Sequence, residues 1–338
     1  MPPSVPDCPF AIGNTPLTRS SLTVNGLAHE IYLKEERLNA FGSIKDRVAW
    51  YILSRLVEEP GAARAAASAG IIDASSGNYG YALASIGRAQ GLKVTIISSA
   101  SISRFNAEGI RRAGGELVIA EPQAGESSNH ARMRVAGERA ARGGQLFLDQ
   151  YRNQLNPQCH ARWTAPEVLE SERLDAVFVA ASSGGTARGF KDYLETSQSE
   201  TRLVLVEPEG SRAFIAPGTQ KAPPLTIPGY GSGRMSSFAG PGHSPRIVHI
   251  SDEQVLAGAL HLKKRAFPPL GLSSIGVFLG AARWLETASR PMHVACICAD
   301  GAERYDDEMN ERYLAGHDAH SLRRASQEVA GWLDGLSL

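Results

Sequence analysis

Lys45 is the first residue whose type and place could do chemistry. It lies in FGSIKDRVAW, Phe41 to Trp50, where Ile44, Val48, Ile52 and Leu56 share one side of a 3.6-residue period, and Ser43 with Asp46 has the form of a capping box. The spacing predicts a helix with Lys45 in its first turn. A cation there opposes the positive end of the helix dipole, at a cost of roughly 0.3 to 1 kcal/mol. An exposed lysine tolerates so small a penalty. An amine whose charge is disfavoured, by contrast, attacks carbonyl carbons and forms Schiff bases. The stretch alone admits both readings.

Three glycine- or serine-rich turns are the other candidates. SSGGTARG, Ser182 to Gly189, follows the apolar run AVFVAA and opens a helical pattern, which gathers backbone N–H groups and the hydroxyls of Ser183 and Thr186 into a phosphate cup at a helix amino terminus. It has neither the GK[ST] of a nucleotide-hydrolysing loop nor the GxGxxG of a dinucleotide fold, which favours a monophosphate; such turns also occur without ligands. SSGNYG, Ser75 to Gly80, has the same setting without a basic residue. Its hydroxyls, amides and Asn78 could hold a carboxylate on the following helix, or make a plain turn. GLSSIGVFLG, Gly271 to Gly280, sets Ser273 and Ser274 at the start of an apolar helix, where a hydroxyl is by default an N-cap and could otherwise face a heterocyclic nitrogen.

Elements able to position these turns recur along the chain. GIIDASSGNYG runs into YALASIGRAQ, VTIIS into a helix near Asn106 to Ala113, and AVFVAASSGGT into ARGFKDYLE. ELVIAE, RLVLVEP, RIVHIS and MHVACIC add β-rich runs that are mostly unbroken rather than alternating, as parallel strands covered on both faces should be. The pattern predicts an α/β fold with parallel sheets. Ala216 to Gly242, rich in Gly, Pro and Ser, is long enough to be a binding loop. LRRASQEVAGWLDGL near the carboxyl end reads as a helix packed on the body or on a partner subunit.

Composition narrows the partners. The 338 residues carry 35 Lys plus Arg against 35 Asp plus Glu, so the balance offers nucleic acid or an anionic membrane nothing and suits small metabolites or zwitterions. MPPSVPDCPF has neither the basic region nor the apolar core of a signal peptide, and no run nears the roughly 18 apolar residues of a membrane span. Four cysteines, Cys8, Cys159, Cys296 and Cys298, form no disulfide framework and no zinc spacing. Cys296 and Cys298 fall in a strand. No metal site and a cytoplasmic location are expected.

Taken in order, the lysine, the SSGN turn, the GGT cup and the late SS turn resemble pyridoxal-phosphate enzymes of the tryptophan-synthase-like fold, type II, and most nearly the cysteine synthase family. IGNTPL, NAFGSIKDR, SSGNYG, NPQCHARWTAPEV, SSGGTARG, VEPEGS, PGYGSG, GLSSIG and DGAERY are similar to family blocks in family order, from about Phe10 to Tyr305. The resemblance implies two domains, each a mostly parallel twisted sheet flanked by helices. A smaller mobile one (41–149) would lie within a larger one (1–40 with 150–338), in a homodimer acting on amino-acid substrates.

It also implies roles at matching positions. Lys45 would carry pyridoxal 5'-phosphate as an internal aldimine and then move the α-proton. Asn78 would bond the ring hydroxyl; Ser183, Gly184, Gly185 and Thr186 would cradle the phosphate; and Ser273, rather than Ser274, would face the ring nitrogen. Ser75, Ser76 and Gly77 with Gln150, after QLFLDQ, would take the substrate carboxylate. A serine at the ring nitrogen limits how far the ring drains charge, which suits β-elimination over transamination. The implied reaction is β-replacement on an activated serine through an aminoacrylate, shielded by closure of the SSGN-bearing domain.

Departures from the sulfide-using members bear on which reaction this is. The family turn commonly reads TSGNTG, and here Ser75 and Tyr79 replace both threonines; Tyr151 follows the glutamine where phenylalanine is common; Arg234 follows PGYGSG and its Gly229. Tyr151 and Arg234, with Arg132 or Arg134 of NHARMRVAGE, could bind a phosphorylated leaving group or an amino-acid nucleophile with extra carboxylates, since guanidinium forks match both anions; Tyr79 and Gly229 are expected beside them in the substrate set. These features are similar to the branch that makes N-(2-amino-2-carboxyethyl)-L-glutamate from O-phosphoserine and glutamate, a precursor of 2,3-diaminopropionate in siderophore and antibiotic pathways. Cysteine synthesis from sulfide is the next reading. A dehydratase or racemase of the same fold follows, and then a non-catalytic binding protein, against which the retained Lys45 argues.

Overall fold

The computed structural model describes residues 7–56, 58–214, 225–240, 245–265 and 267–337. Within the expected binding loop Ala216 to Gly242, residues 216–224 and 241–242 lie outside the described residues, as do residues 1–6 of MPPSVPDCPF. In chain order the elements are β1 (Leu17–Val24), β2 (Leu27–Glu35), α1 (Lys45–Leu56), α2 (Pro60–Ala69), β3 (Ile71–Ala74), α3 (Asn78–Ala89), β4 (Val94–Ser98), α4 (Arg104–Arg112), β5 (Glu116–Ile119), α5 (Ser128–Gly143) and β6 (Leu146–Phe147). They continue with α6 (Leu155–Cys159), α7 (Ala165–Leu169), β7 (Ala176–Ala180), α8 (Gly185–Thr196), β8 (Arg202–Glu207), β9 (Arg246–His249), α9 (Asp252–Lys264), α10 (Leu272–Leu285), β10 (His293–Cys298), α11 (Ala319–Trp332) and β11 (Leu336–Ser337).

The chain divides into two compact units, Met1–Ile12 with Asn39–Cys159, and Gly13–Leu38 with His160–Leu338. The first, smaller unit holds a parallel sheet in the order β5-β4-β3-β6. Every residue of β3 and β4 is buried, which is why IIDA and VTIIS read as unbroken apolar runs rather than alternating ones. Ile72, Ala74 and Ile97 meet Ala131, Met133 and Ala136 of α5 in one cluster, while α1 packs on α3 and α6. That last contact draws residues past the expected 41–149 into this unit, because the buried Asn156 of α6 also donates to the Gln150 carbonyl at 2.9 Å.

The second unit holds a sheet in the order β11-β1-β2-β10-β7-β8-β9. From β2 to β9 neighbouring strands run parallel, but β1 pairs antiparallel with both β2 and β11. The sheet is mostly parallel, as expected, with its antiparallel pairs confined to β1. β1 and β2 form a hairpin whose turn residues Asn25 and Gly26 have φ of 50° and 76°, the left-handed pair that a tight hairpin turn requires. Cys296 and Cys298 share one buried face of β10 with the aliphatic core.

Of the two settings expected for the carboxyl-terminal helix, the structure shows the body. Ala325 and Val329 of α11, with Leu333 just beyond it, join the core of the second unit, and α11 packs on α9. No helix among the described residues is long and apolar enough to cross a membrane. Leu333 is fully buried, so Leu333→Ala should lower stability by roughly 2 to 5 kcal/mol, read as a lower urea midpoint at unchanged m-value. A loss below about 0.5 kcal/mol, the size of an ordinary surface change, would show that this end of the chain is not anchored.

Candidate active site

The helix expected around Lys45 begins at Lys45 itself. Ser43 Oγ accepts from the Lys45 N–H at 3.3 Å and donates to Asp46 Oδ1 at 3.2 Å, while Asp46 Oδ2 reaches back to the Phe41 N–H at 2.7 Å. The expected reciprocal capping box is thus replaced by a carboxylate that ties down the preceding turn. Val48 and Ile52 are fully buried, so the packed side of α1 fixes where its first residue stands. Lys45 is only half-buried, yet loss of water around its amine lowers its pKa to about 8, opposed by the Cys159 thiol of α6. The amine loses its proton well below the usual lysine range.

At the end of β3 the Ser75 N–H still pairs with the Ile97 carbonyl at 2.9 Å. Ser75 Oγ then turns inward and accepts from the N–H groups of Gly77 at 3.1 Å and Gly80 at 2.9 Å. Its hydroxyl therefore shapes the loop rather than facing outward. Ser76 and Asn78 are half-buried, and Asn78 Oδ1 accepts from Asn106 Nδ2 at 3.1 Å, an amide that Ser103 Oγ also holds at 3.1 Å. A Cβ on Gly77 would come within 2.9 Å of that same Asn106 nitrogen. Gln150 is buried against the loop, donating from Nε2 to the Ala74 carbonyl at 2.7 Å and from its backbone to Asp73 Oδ2 at 3.2 Å.

The residues chosen for specificity fare differently. Tyr79 is 2% exposed, and its hydroxyl lies in the interior facing Asp73, though not in full hydrogen-bond geometry with any described residue. Tyr151 is half-buried and packs on the α5 cluster. Arg132 is 7% exposed rather than solvated: Nη1 donates to Ser99 Oγ and Nη2 to Asn129 Oδ1, both at 3.1 Å, and its buried Nε has no partner among the described residues. Ser99 directly follows β4, so this guanidinium lies at the carboxyl end of the parallel strands, the end that also carries the SSGN loop. Arg134 instead pairs with Glu126 at 3.0 Å and Glu138 at 3.4 Å on the surface.

In the second unit, β7 leads through Ser182–Gly184 into α8, whose amino terminus has no side-chain cap. Gly184 has φ +91°, and a Cβ there would fall 2.2 Å from Ser236 Oγ. Ser236 Oγ in turn donates to the Ser183 carbonyl at 2.6 Å. Thr186 Oγ1 lies 3.3 Å from His160 Nε2, and His160 Nδ1 lies 3.0 Å from Thr164 Oγ1 within a π-helical turn, His160–Thr164. The Gly231 N–H donates to the Ala181 carbonyl at 2.7 Å, which sets the PGYGSG loop, with Gly229 at φ 76°, beside the SSGGT turn. Arg234, half-buried, is held through its backbone by Ser232 Oγ at 3.2 and 2.8 Å. Ser274 Oγ bonds the Asp300 carbonyl at 3.3 Å, whereas the buried Ser273 has no such backbone tie among the described hydrogen bonds, which favours Ser273 for the ring nitrogen.

Sequence reasoning missed Asp73, Asn106, His160 and Ser236. His160 stood inside a quoted family block, and Asp73 was a carboxylate in an otherwise apolar run; Ser236 offered no signal.

In the first unit, a half-buried amine short of its proton suits an aldehyde; in the second, a twelve-residue helix whose first amides have no side-chain acceptor suits a phosphate. The fold and these residues define a pyridoxal-phosphate dependent enzyme. Residues 9–299 match the family model described as pyridoxal-phosphate dependent enzyme, and the chain belongs to that family. It is 31% identical over 335 residues to N-(2-amino-2-carboxyethyl)-L-glutamate synthase of Ralstonia nicotianae, covering 96% of each chain. It is 28% identical over 296 residues to cysteine synthase B of Escherichia coli, covering 87% of this chain and 92% of that one. Among solved structures, the O-acetylserine dependent cystathionine beta-synthase from Helicobacter pylori superposes with a TM-score of 0.76 at 26% identity, covering 87% of this chain and 95% of that one. The fold is that of type II enzymes, and the chain is one of the cysteine-synthase-like β-replacement synthases.

Acylation of the cofactor-free protein by an amine-selective reagent, read on the Lys45 peptide by mass spectrometry, should rise with pH through a midpoint of about 8. A Lys45 midpoint in the ordinary lysine range would contradict the desolvation account. Gly184→Ala meets both the left-handed backbone and the Ser236 clash, so it should weaken pyridoxal-phosphate affinity at least about tenfold, or 1.4 kcal/mol. Unchanged affinity in equilibrium dialysis would show that this turn does not hold the phosphate.

Proposed function

We propose that this enzyme joins an activated L-serine, O-phosphoserine or O-acetylserine, to an amino-acid nucleophile such as L-glutamate, making a precursor of 2,3-diaminopropionate. The observation that carries this reading is the buried Arg132, whose guanidinium keeps an Nε with no partner among the described residues at the carboxyl end of the strands that bear the SSGN loop. Sulfide needs no guanidinium. A phosphate or a second carboxylate does, and bonds to such charged groups contribute roughly 1.5 to 3 kcal/mol. Likeness to the Ralstonia synthase over 96% of each chain supports the same assignment.

Bound pyridoxal phosphate would supply an electron sink for bonds broken at the substrate α-carbon. In this reading Lys45 anchors it through Nζ and then takes and returns the α-proton, a task for which an amine of pKa about 8 is suited near neutral pH. Asn78 would hold the ring hydroxyl and Ser273 the ring nitrogen; Ser183, Gly184, Gly185 and Thr186 would hold the phosphate. The substrate carboxylate rests on Ser76, on the backbone of Ser75 and Gly77, and on Gln150. The β-carbon–oxygen bond breaks, phosphate or acetate leaves with the electron pair, and a carbon–nitrogen bond forms as the glutamate amine gives up a proton. Tyr151, Gly229 and Arg234 stay in the substrate set. A cytoplasmic homodimer is the setting that family resemblance supports.

Purified enzyme given O-phosphoserine or O-acetylserine with L-glutamate should release N-(2-amino-2-carboxyethyl)-L-glutamate, identified by mass. Arg132→Ala should raise KM for the anionic substrate it serves about 10- to 100-fold with a smaller change in kcat. Rapid use of sulfide with no reaction of glutamate would overturn the assignment in favour of cysteine synthesis, and pyruvate release without a nucleophile would favour a dehydratase.

A further inference from the structure

We infer that Asp73 is a positioning residue for the substrate-carboxylate site: its ionised side chain ties Gln150 to the root of the SSGN loop, and protonation releases that tie. The inference rests on the reading that the loop and Gln150 receive the carboxylate. Pairing of β3 with β6 ends at Ile72 and Phe147, with a last backbone bond from the Leu148 N–H to the Ile72 carbonyl at 3.2 Å. The chain then turns at Asp149, φ 49°, and the two strands part. A side chain replaces the missing rung. Asp73 Oδ2 accepts from the Gln150 N–H at 3.2 Å while Oδ1 accepts from the Ala74 N–H at 2.7 Å. Gln150 Nε2 returns to the Ala74 carbonyl at 2.7 Å, and Asn156 Nδ2 secures the Gln150 carbonyl at 2.9 Å.

Asp73 is fully buried. The titratable groups that face it are Asp149, which disfavours its charge, and the Tyr79 hydroxyl of α3, which favours it; Tyr151 and Asp149 face Tyr79 in turn. Asp149 itself pairs with Arg152 at 3.5 Å. Burial pushes the Asp73 carboxyl up to about 7, against the pull of the Ala74 and Gln150 amides and of Tyr79. Once protonated, one oxygen becomes a donor, and the N–H groups of Ala74 and Gln150 are left competing for the other. Stability and binding then depend on pH in opposite senses. The folded pKa lies above the unfolded one, so the native state holds the extra proton between about pH 4 and 7 and stability falls as pH rises through that window. Substrate affinity rises through its upper end.

The test uses the holoenzyme with L-alanine, which has the α-carboxylate but no leaving group, and follows binding by the cofactor absorbance from pH 5.5 to 8.5, beside urea unfolding. Wild-type affinity should fall by up to about tenfold per pH unit below 7, the limit for one coupled proton. Asp73→Asn should bind L-alanine several-fold more weakly at pH 8 and lose both that limb and the acid-side gain in stability. Tyr79→Phe should move the midpoint upward, which keeps the test decisive if Asp73→Asn fails to fold. An Asp73→Asn enzyme with the wild-type pH profile, or a Tyr79→Phe midpoint that does not move, would overturn the inference. Gln150→Ala separates the two levels: unaltered L-alanine binding there defeats the carboxylate-site reading, whereas weakened binding with an unaltered Asp73→Asn profile defeats only the role of Asp73.

Discussion

The rest of the structure depends on keeping water from one amine. Lys45 stands where α1 begins, and its charge is disfavoured there by desolvation and by the positive end of the helix. The unfolded chain would hold its proton to the usual lysine range and the folded chain only to about 8. Between those limits the unfolded state binds more protons, so this residue makes stability rise with pH, and below pH 8 it weakens the fold. The surrounding packing must offset that cost. Val48 and Ile52, fully buried on α1, supply part of the offset and fix the direction in which the amine can reach. The same dry interior acts on Asp73, where it favours the neutral acid, so the smaller unit pushes two groups of opposite charge toward neutrality by one cause.

Both loops that bind in the proposed scheme follow the carboxyl end of a central parallel strand and open a twelve-residue helix. Each is held by one serine hydroxyl. Ser75 Oγ satisfies the amides of Gly77 and Gly80, and Ser236 Oγ takes up the Ser183 carbonyl. Rigid strands thus set the loop roots, and hydroxyls set the loop shapes before any ligand arrives. That is preorganisation in a concrete sense, since little ordering is left to be done on binding.

The strand–turn–helix grammar was legible because it rests on local chemistry. Unbroken apolar runs marked β3, β4, β7 and β8, and the first turn of α1 showed Lys45 against the dipole. The hairpin of β1 and β2 carried a legible signal, Asn25-Gly26 between alternating residues, that the parallel pattern overshadowed. Arg132, Asp73 and Ser236 were not legible as they stand. Their roles come from tertiary neighbours: Ser99 and Asn129 for Arg132, Gln150 for Asp73, the Ser183 carbonyl for Ser236. No spacing along the chain encodes such a partner. Tyr79 is expected in the substrate set from its place in the SSGN turn, but the helical register of α3 turns it inward beside Ala82 and Leu83, which are fully buried.

The most direct measurement of the central claim is chemical mapping of the cofactor. Holoenzyme reduced with borohydride, digested and sequenced by mass spectrometry should place the pyridoxyl group on the peptide containing Lys45 and nowhere else. A label distributed over several lysines, or fixed on another lysine, would contradict the assignment of the desolvated amine at the start of α1 as the cofactor's anchor.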